Sequence, residues 1–158
     1  MSKRLFFFAA SDPHSRVGPA LEWYIKALAP YGEIVFVMSN RCPEEELDKL
    51  KPYCLYTTAI PHKEAHFGSY MRAYKWAVEN LDLNSYSRLY LVNNSVLGPT
   101  EDIGPVFERL ESYGTEVYGM SFDNVNFSPF LHTWFVGMDQ KVFMTVWFKR
   151  FITTIHRE

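Results

Sequence analysis

The residues of this chain that could do chemistry gather where its apolar runs stop. The run RLYLV ends on Asn93, Asn94 and Ser95, two amides and a hydroxyl. An amide oxygen can ligate a hard divalent cation but brings no charge, and such ions favour carboxylate, carbonyl and water oxygens around a compensating anion. These three residues are either a cation-binding turn without its acid or the polar end of an ordinary strand. His62 and His66 stand at i and i+4 with Glu64 between them, a spacing that sets two imidazoles on one helix face. The glutamate that follows the first histidine in zinc hydrolases is missing. Residues of a loop or helix start that face phosphate or solvent are therefore the expected reading. Asp12 with Pro13 suits a turn or a helix cap. His132 enters an apolar stretch alone, as structural histidines do.

The elements that must position these residues alternate regularly. RLFFFAAS is a continuous apolar run of strand length, as expected for a strand covered on both faces. GPALEWYIKALAPYG reads as a helix: Pro19 suits its first turn, Val17, Leu21, Tyr24, Ile25 and Leu28 share a face, and Pro30 with Gly32 ends it. EIVFVMSN is a second strand. PEEELDKLKPY, with acids at its start, is a short helix that turns Leu47 and Leu50 inward. CLYTTAI is a third strand. FGSYMRAYKWAVENL is the clearest amphipathic helix, with Phe67, Met71, Tyr74, Val78 and Leu81 on its apolar stripe. RLYLVN is a fourth strand, followed by a helix over DIGPVFERLES, a strand EVYGMSF, a loop DNVNFSP, a strand HTWFVGM and a last helix from Asp139.

Strands separated by helices require crossover connections. The expected fold is a single α/β domain over 1–158, a Rossmann-like, mostly parallel sheet with helices on both faces. Ligands of such sheets bind outside the carboxyl ends of the strands. Neither G-x-G-x-x-G nor G-x-x-x-x-G-K occurs, which disfavours a dinucleotide oxidoreductase or a P-loop NTPase.

Composition narrows the partners. The formal charge is -2, and neither sign forms a block, so a nucleic-acid partner is not expected. Cys42 and Cys54 lack zinc-ligand spacing, and a reducing cytoplasm fits them best. MSKRLFFFAAS imitates a signal peptide, but its apolar part is too short and reads as the first strand. No apolar run approaches the ~20 residues of a membrane span.

Four stretches in order, SDPHSRVGPAL, HFGSYMRAY, LYLVNNSVLGP and LHTWFVGM, resemble the rhamnan synthesis protein F family of glycosyltransferases. The resemblance covers nearly the whole chain. It implies a GT-A-type fold with a nucleotide-sugar donor at the carboxyl edge and a polysaccharide or other glycan as acceptor. Phe67, Gly68, Ser69 and Tyr70 match the family's third loop, whereas His62 to His66 depart from its Asn-Val-Gly-Tyr-Asp. Asn93, Ser95, Gly98 and Pro99 match its fourth strand end, but Asn94 stands where the family has Asp. In GT-A enzymes that position supplies a carboxylate to the ion bridging the donor's phosphates. The resemblance thus makes Asn94 the metal position, with magnesium or manganese weakly bound.

The candidate substrate-binding residues are Asp12, Arg16, His66, Gly68, Tyr70, Asn93, Asn94, Ser95 and His132. Arg16 can grip a diphosphate through two N–H groups, although a solvent-facing arginine is the commoner state. Asp123 is the candidate base for the acceptor hydroxyl, with turn chemistry beside Asn124 as its plain alternative. The expected activity is transfer of a hexose or deoxyhexose such as rhamnose. The alternative is a sugar-nucleotide or glycan binding module without turnover, and a flavodoxin-like domain is a more distant third. GT-A enzymes normally continue beyond the sixth strand into an acceptor site, and here little chain remains for it. Trp147, Phe148 and Phe151 are too widely spread around the last helix for one sheet face to bury, so a homodimer or a partner protein is expected to meet them.

Overall fold

A computed structural model describes residues 3–125 and 128–156. Its main sheet runs in the order β3 (Tyr56–Ala59), β2 (Glu33–Met38), β1 (Arg4–Ala10), β4 (Arg88–Asn93), β8 (Phe135–Asp139) and β5 (Val117–Gly119). β1, β2, β3 and β4 pair in parallel, and β8 lies antiparallel to both β4 and β5. The fold is thus α/β with a mostly parallel sheet.

Alternation along β1 supplies two cores. Phe6, Phe8 and Ala10 face α1 (Pro19–Leu28), α2 (Glu44–Leu47) and α4 (Gly104–Ser112), where Tyr24, Ile25, Leu47 and Phe107 meet them. Leu5, Phe7 and Ala9 face α3 (Ala65–Asn80), α5 (Gln140–Phe143) and α6 (Val146–Thr153), against Tyr70, Tyr74, Phe143 and Ile152. A strand buried on both sides has no polar face, which is why its sequence reads as an unbroken apolar run. Each of the leucine and phenylalanine side chains contributes about 1.5–3 kcal/mol through burial. At the amino end of the sheet, Arg4 grips Glu111 with Nε–Oε1 at 2.6 Å and Nη2–Oε2 at 2.9 Å, and the Tyr90 hydroxyl donates to the same carboxylate. That clamp fixes α4 against β1.

Three local expectations change. DNVNFSP is not a loop: β6 (Phe122–Val125) pairs antiparallel with β7 (Ser128–Leu131) in a separate hairpin. β6 is exposed throughout, so no buried face imposes alternation on its sequence. The last helix is broken at Thr145, whose backbone is extended and whose hydroxyl accepts the Phe148 N–H at 3.1 Å as the cap of α6. Phe148 and Ile152 turn inward while Trp147 and Phe151 stay exposed. Val78, placed on the apolar stripe of α3, is exposed as well, and Ala77 beside it takes the buried position against the core. Among the described residues no helix is long and apolar enough to cross a membrane.

Candidate functional site at the carboxyl edge

β1 is the switch point of the sheet, with β2 on one side and β4 on the other, so its carboxyl end opens a crevice between diverging crossovers. Two asparagines fix the chain as it leaves. Asn94, just past β4, accepts the Ser11 N–H at 3.2 Å and donates to the Ser11 carbonyl at 2.9 Å. Asn40, just past β2, does the same to Asp12 at 3.0 and 2.9 Å. A primary amide carries both a donor and an acceptor, so it pairs with a peptide unit as a neighbouring strand would. The Asp12 carboxylate then folds the next turn, its Oδ1 accepting His14 N–H at 2.8 Å and Arg16 N–H at 3.2 Å.

These bonds bear on the choice between a cation-binding turn and the polar end of a strand. The Asn94 oxygen faces a backbone donor, and the Asp12 oxygen faces two. Asp12 Oδ2 takes none of these bonds, so the edge keeps one uncommitted carboxylate oxygen rather than the several anionic ligands that an ion bridging two phosphates favours. No group of His, Cys, Asp or Glu side chains converges at metal-binding distance among the described residues.

What the edge does form is a groove. Asp12, Gly18, Leu21, Asn94 and Leu97 surround a hollow of about 140 Å³. It shares Tyr24, Val96 and Leu97 with a neighbouring cleft of about 340 Å³ that reaches Met120 and Trp134. The N-terminus of α1 lies at this hollow: Gly18 is its cap residue, with no side chain to satisfy the first N–H groups, and Pro19 follows. Such an end attracts anions through its free donors and the helix dipole. Arg16 is exposed beside it. Sequence reasoning passed over Gly18, Val96, Leu97 and Met120, although Gly-Pro at a helix start was a usable signal. Trp134 is half-buried against the core, and its Nε1–H donates to Ser121 Oγ at 2.9 Å.

The remaining candidates occupy the other face, at the start of α3. Asn93 is buried, donating to Thr133 O at 3.2 Å and accepting the Ser95 N–H at 3.0 Å. The Tyr70 ring is wholly buried, and its hydroxyl donates to Thr133 O at 3.3 Å. His66 Nε2 and Thr133 Oγ1 share a hydrogen bond of 2.9 Å, and His62 Nε2 and Ser69 Oγ one of 2.8 Å. Gly68 makes room for this cluster, since a Cβ there would sit 2.6 Å from Glu64 Cβ and 2.8 Å from His62 Nδ1. Tyr70, Asn93 and Gly68 hence shape the wall behind the edge, and Ser95 alone of this stretch is exposed.

Burial holds both imidazoles below the ordinary histidine value; at His62, Arg72 adds to it and Glu64 opposes. The unfolded chain then takes up protons first as pH falls past the ordinary histidine range. The stability contributed by the neutral rings is complete above that range and is lost below it. Urea unfolding is expected to show a falling midpoint between about pH 7 and about pH 5, and a His62→Gln/His66→Gln variant a flatter one.

Asp123 stands on β6, exposed, with Oδ1 accepting the Asn124 N–H at 2.7 Å. His132 closes the hairpin base by donating its backbone N–H to Ser121 O at 3.0 Å, and its ring lies 5.4 Å from that of Phe130. Met120 and Trp134, which flank this base in sequence, line the groove, so the hairpin rises from the groove's far end. The fold and the edge define an α/β domain with a switch-point groove. The chain matches no protein-family model and no curated protein.

Proposed function

We propose that this domain binds a nucleotide sugar in the switch-point groove and transfers its hexose or deoxyhexose to a glycan acceptor, as a divergent GT-A-like glycosyltransferase. The observation that carries the reading is the open N-terminus of α1 at the hollow between the ends of β1 and β4. In this reading the diphosphate lies against the free N–H groups after Gly18, with the Arg16 guanidinium beside it. The sugar points along the cleft toward Met120 and Trp134. Asp123, on the hairpin above, takes the proton from the acceptor hydroxyl as that oxygen attacks the anomeric carbon and the nucleoside diphosphate departs. Helix N-terminus and guanidinium stabilise the charge that gathers on the leaving diphosphate, which is the work a metal ion does elsewhere.

The test is calorimetric titration with UDP, GDP and dTDP, each with and without manganese. One nucleotide is expected to bind with an affinity that manganese leaves unchanged, and Arg16→Ala to weaken it by about tenfold. Absence of binding by all three overturns the reading. A binding module without turnover is the second reading, favoured by the exposure of Asp123 and its bond to its own neighbour. Asp123→Ala separates the two: it abolishes sugar transfer in the first and changes nothing in the second.

A further inference from the structure

On the outer side of the 99–103 segment, away from Asp12 and Asn94, lies a second cleft of about 500 Å³, within the size range of small-molecule sites. One wall is a single stripe of α1 and the turn after it, Trp23, Lys26, Ala27 and Pro30, at the spacing of one helix face. The opposite wall is Pro99 to Asp102. Two of its groups are fixed in advance. Trp23 is 60% exposed, yet its indole N–H donates to Pro99 O at 2.8 Å, which holds the ring across the mouth of the cleft. Asp102 accepts both the Tyr31 hydroxyl and the Gly104 N–H, the latter at 3.1 Å, through the one oxygen Oδ1. Its Oδ2 takes no hydrogen bond among the described residues. Tyr31 first and Gly104 second hold this carboxyl below the usual value, so it is ionised at neutral pH.

The geometry points to a carbohydrate-binding subsite in this cleft, with a neutral pyranose stacked on Trp23 and a pair of its hydroxyls donating to Asp102. A pyranose has an apolar face of axial C–H groups that an indole covers, and a rim of hydroxyls that a carboxylate accepts strongly. Thr100 adds a donor on the opposite wall, matching hydroxyl oxygens that also accept, while the Lys26 stem lines the cleft and its ammonium pairs with Glu22 at 2.6 Å. A quaternary ammonium would suit a cage of several aromatic faces, whereas these walls carry one indole and Tyr31, whose hydroxyl is bound to Asp102. The subsite shares no residue with the hollow at α1's N-terminus, while the 99–103 segment walls both it and the cleft that reaches Met120 and Trp134.

Protein labelled with 5-fluorotryptophan gives one fluorine resonance per tryptophan, and Trp23→Phe assigns that of Trp23. Glucose, galactose, mannose, rhamnose and choline are titrated in turn. At least one sugar is expected to shift the Trp23 resonance saturably. Asp102→Asn keeps an oxygen for Tyr31 and Gly104 but turns the free acceptor into a donor, and is expected to weaken that sugar about tenfold. A Trp23 resonance that no sugar moves, one that only choline moves, or sugar affinity unchanged in Asp102→Asn overturns the subsite. UDP added to the same sample leaves the Trp23 resonance in place if the two sites are separate, and failure of either probe alone leaves the other site standing.

Discussion

Replacing Gly137 with alanine is expected to destabilise the protein by about 3 kcal/mol, a large loss for one methyl group. A Cβ at this position would lie 2.2 Å from Tyr118 Cε2 and 2.6 Å from Tyr90 Cε1. Neither ring can withdraw. Tyr90 is fully buried among Phe6, Phe107 and Phe135, and its hydroxyl is tied to Glu111. Tyr118 is buried against it, with centroids 5.9 Å apart. β8 must therefore shift away from β4 or the tyrosines must leave their rotamers, and close-packed interiors resist both. Urea unfolding measures the loss. Adding Tyr118→Leu to the alanine variant is expected to restore part of it, since leucine has no atom at the clashing ring position; no recovery would locate the strain elsewhere.

Asn94→Asp, the change that installs the acid found at this position in the resembled family, is expected to cost about 2 kcal/mol at neutral pH. The aspartate can still accept the Ser11 N–H, but its other oxygen would face the Ser11 carbonyl with nothing to donate, where 2.9 Å now separates donor from acceptor. Protonation restores a donor, so folding raises the new carboxyl's pKa. The sign follows: the deficit is full above that raised value and shrinks as pH falls through it. Unfolding of the variant and the natural chain, compared at about pH 7 and about pH 4, should show the gap narrowing in acid. Asn40→Asp should behave alike, since Asn40 holds Asp12 by the same pair of bonds.

How much of this could be read from the sequence depends on what each residue faces. Strands buried on two sides declared themselves, and β1, β2 and β4 lie where their apolar runs do. The stripe Leu21, Tyr24, Ile25 and Leu28 is buried as its spacing required. The β6–β7 hairpin could not be read, because β6 is exposed along its length and no buried face imposes a pattern on it. At the edge, residue type was legible and partnership was not. Asn94 announced a polar strand end, but its bond to Ser11, 83 positions away, exists only once β1 and β4 lie side by side. The groove and the Trp23 cleft were invisible for the same reason, since each is a space between segments that only the fold brings together.

One feature of the sheet bears on how the protein behaves at high concentration. Its outermost strands are its shortest or nearly so: β3 has four residues and β5 three, against seven in β1 at the centre. An outer strand is a template on which another chain can add, and a short one offers few free backbone groups for that addition. The exposed hairpin carries its own guard in Pro129, which pairs with Asn124 and has no N–H to extend the ladder outward. Charge alone gives this chain little colloidal protection, at a formal -2, so what the fold sets against edge-to-edge strand addition is its blunt edges and that proline.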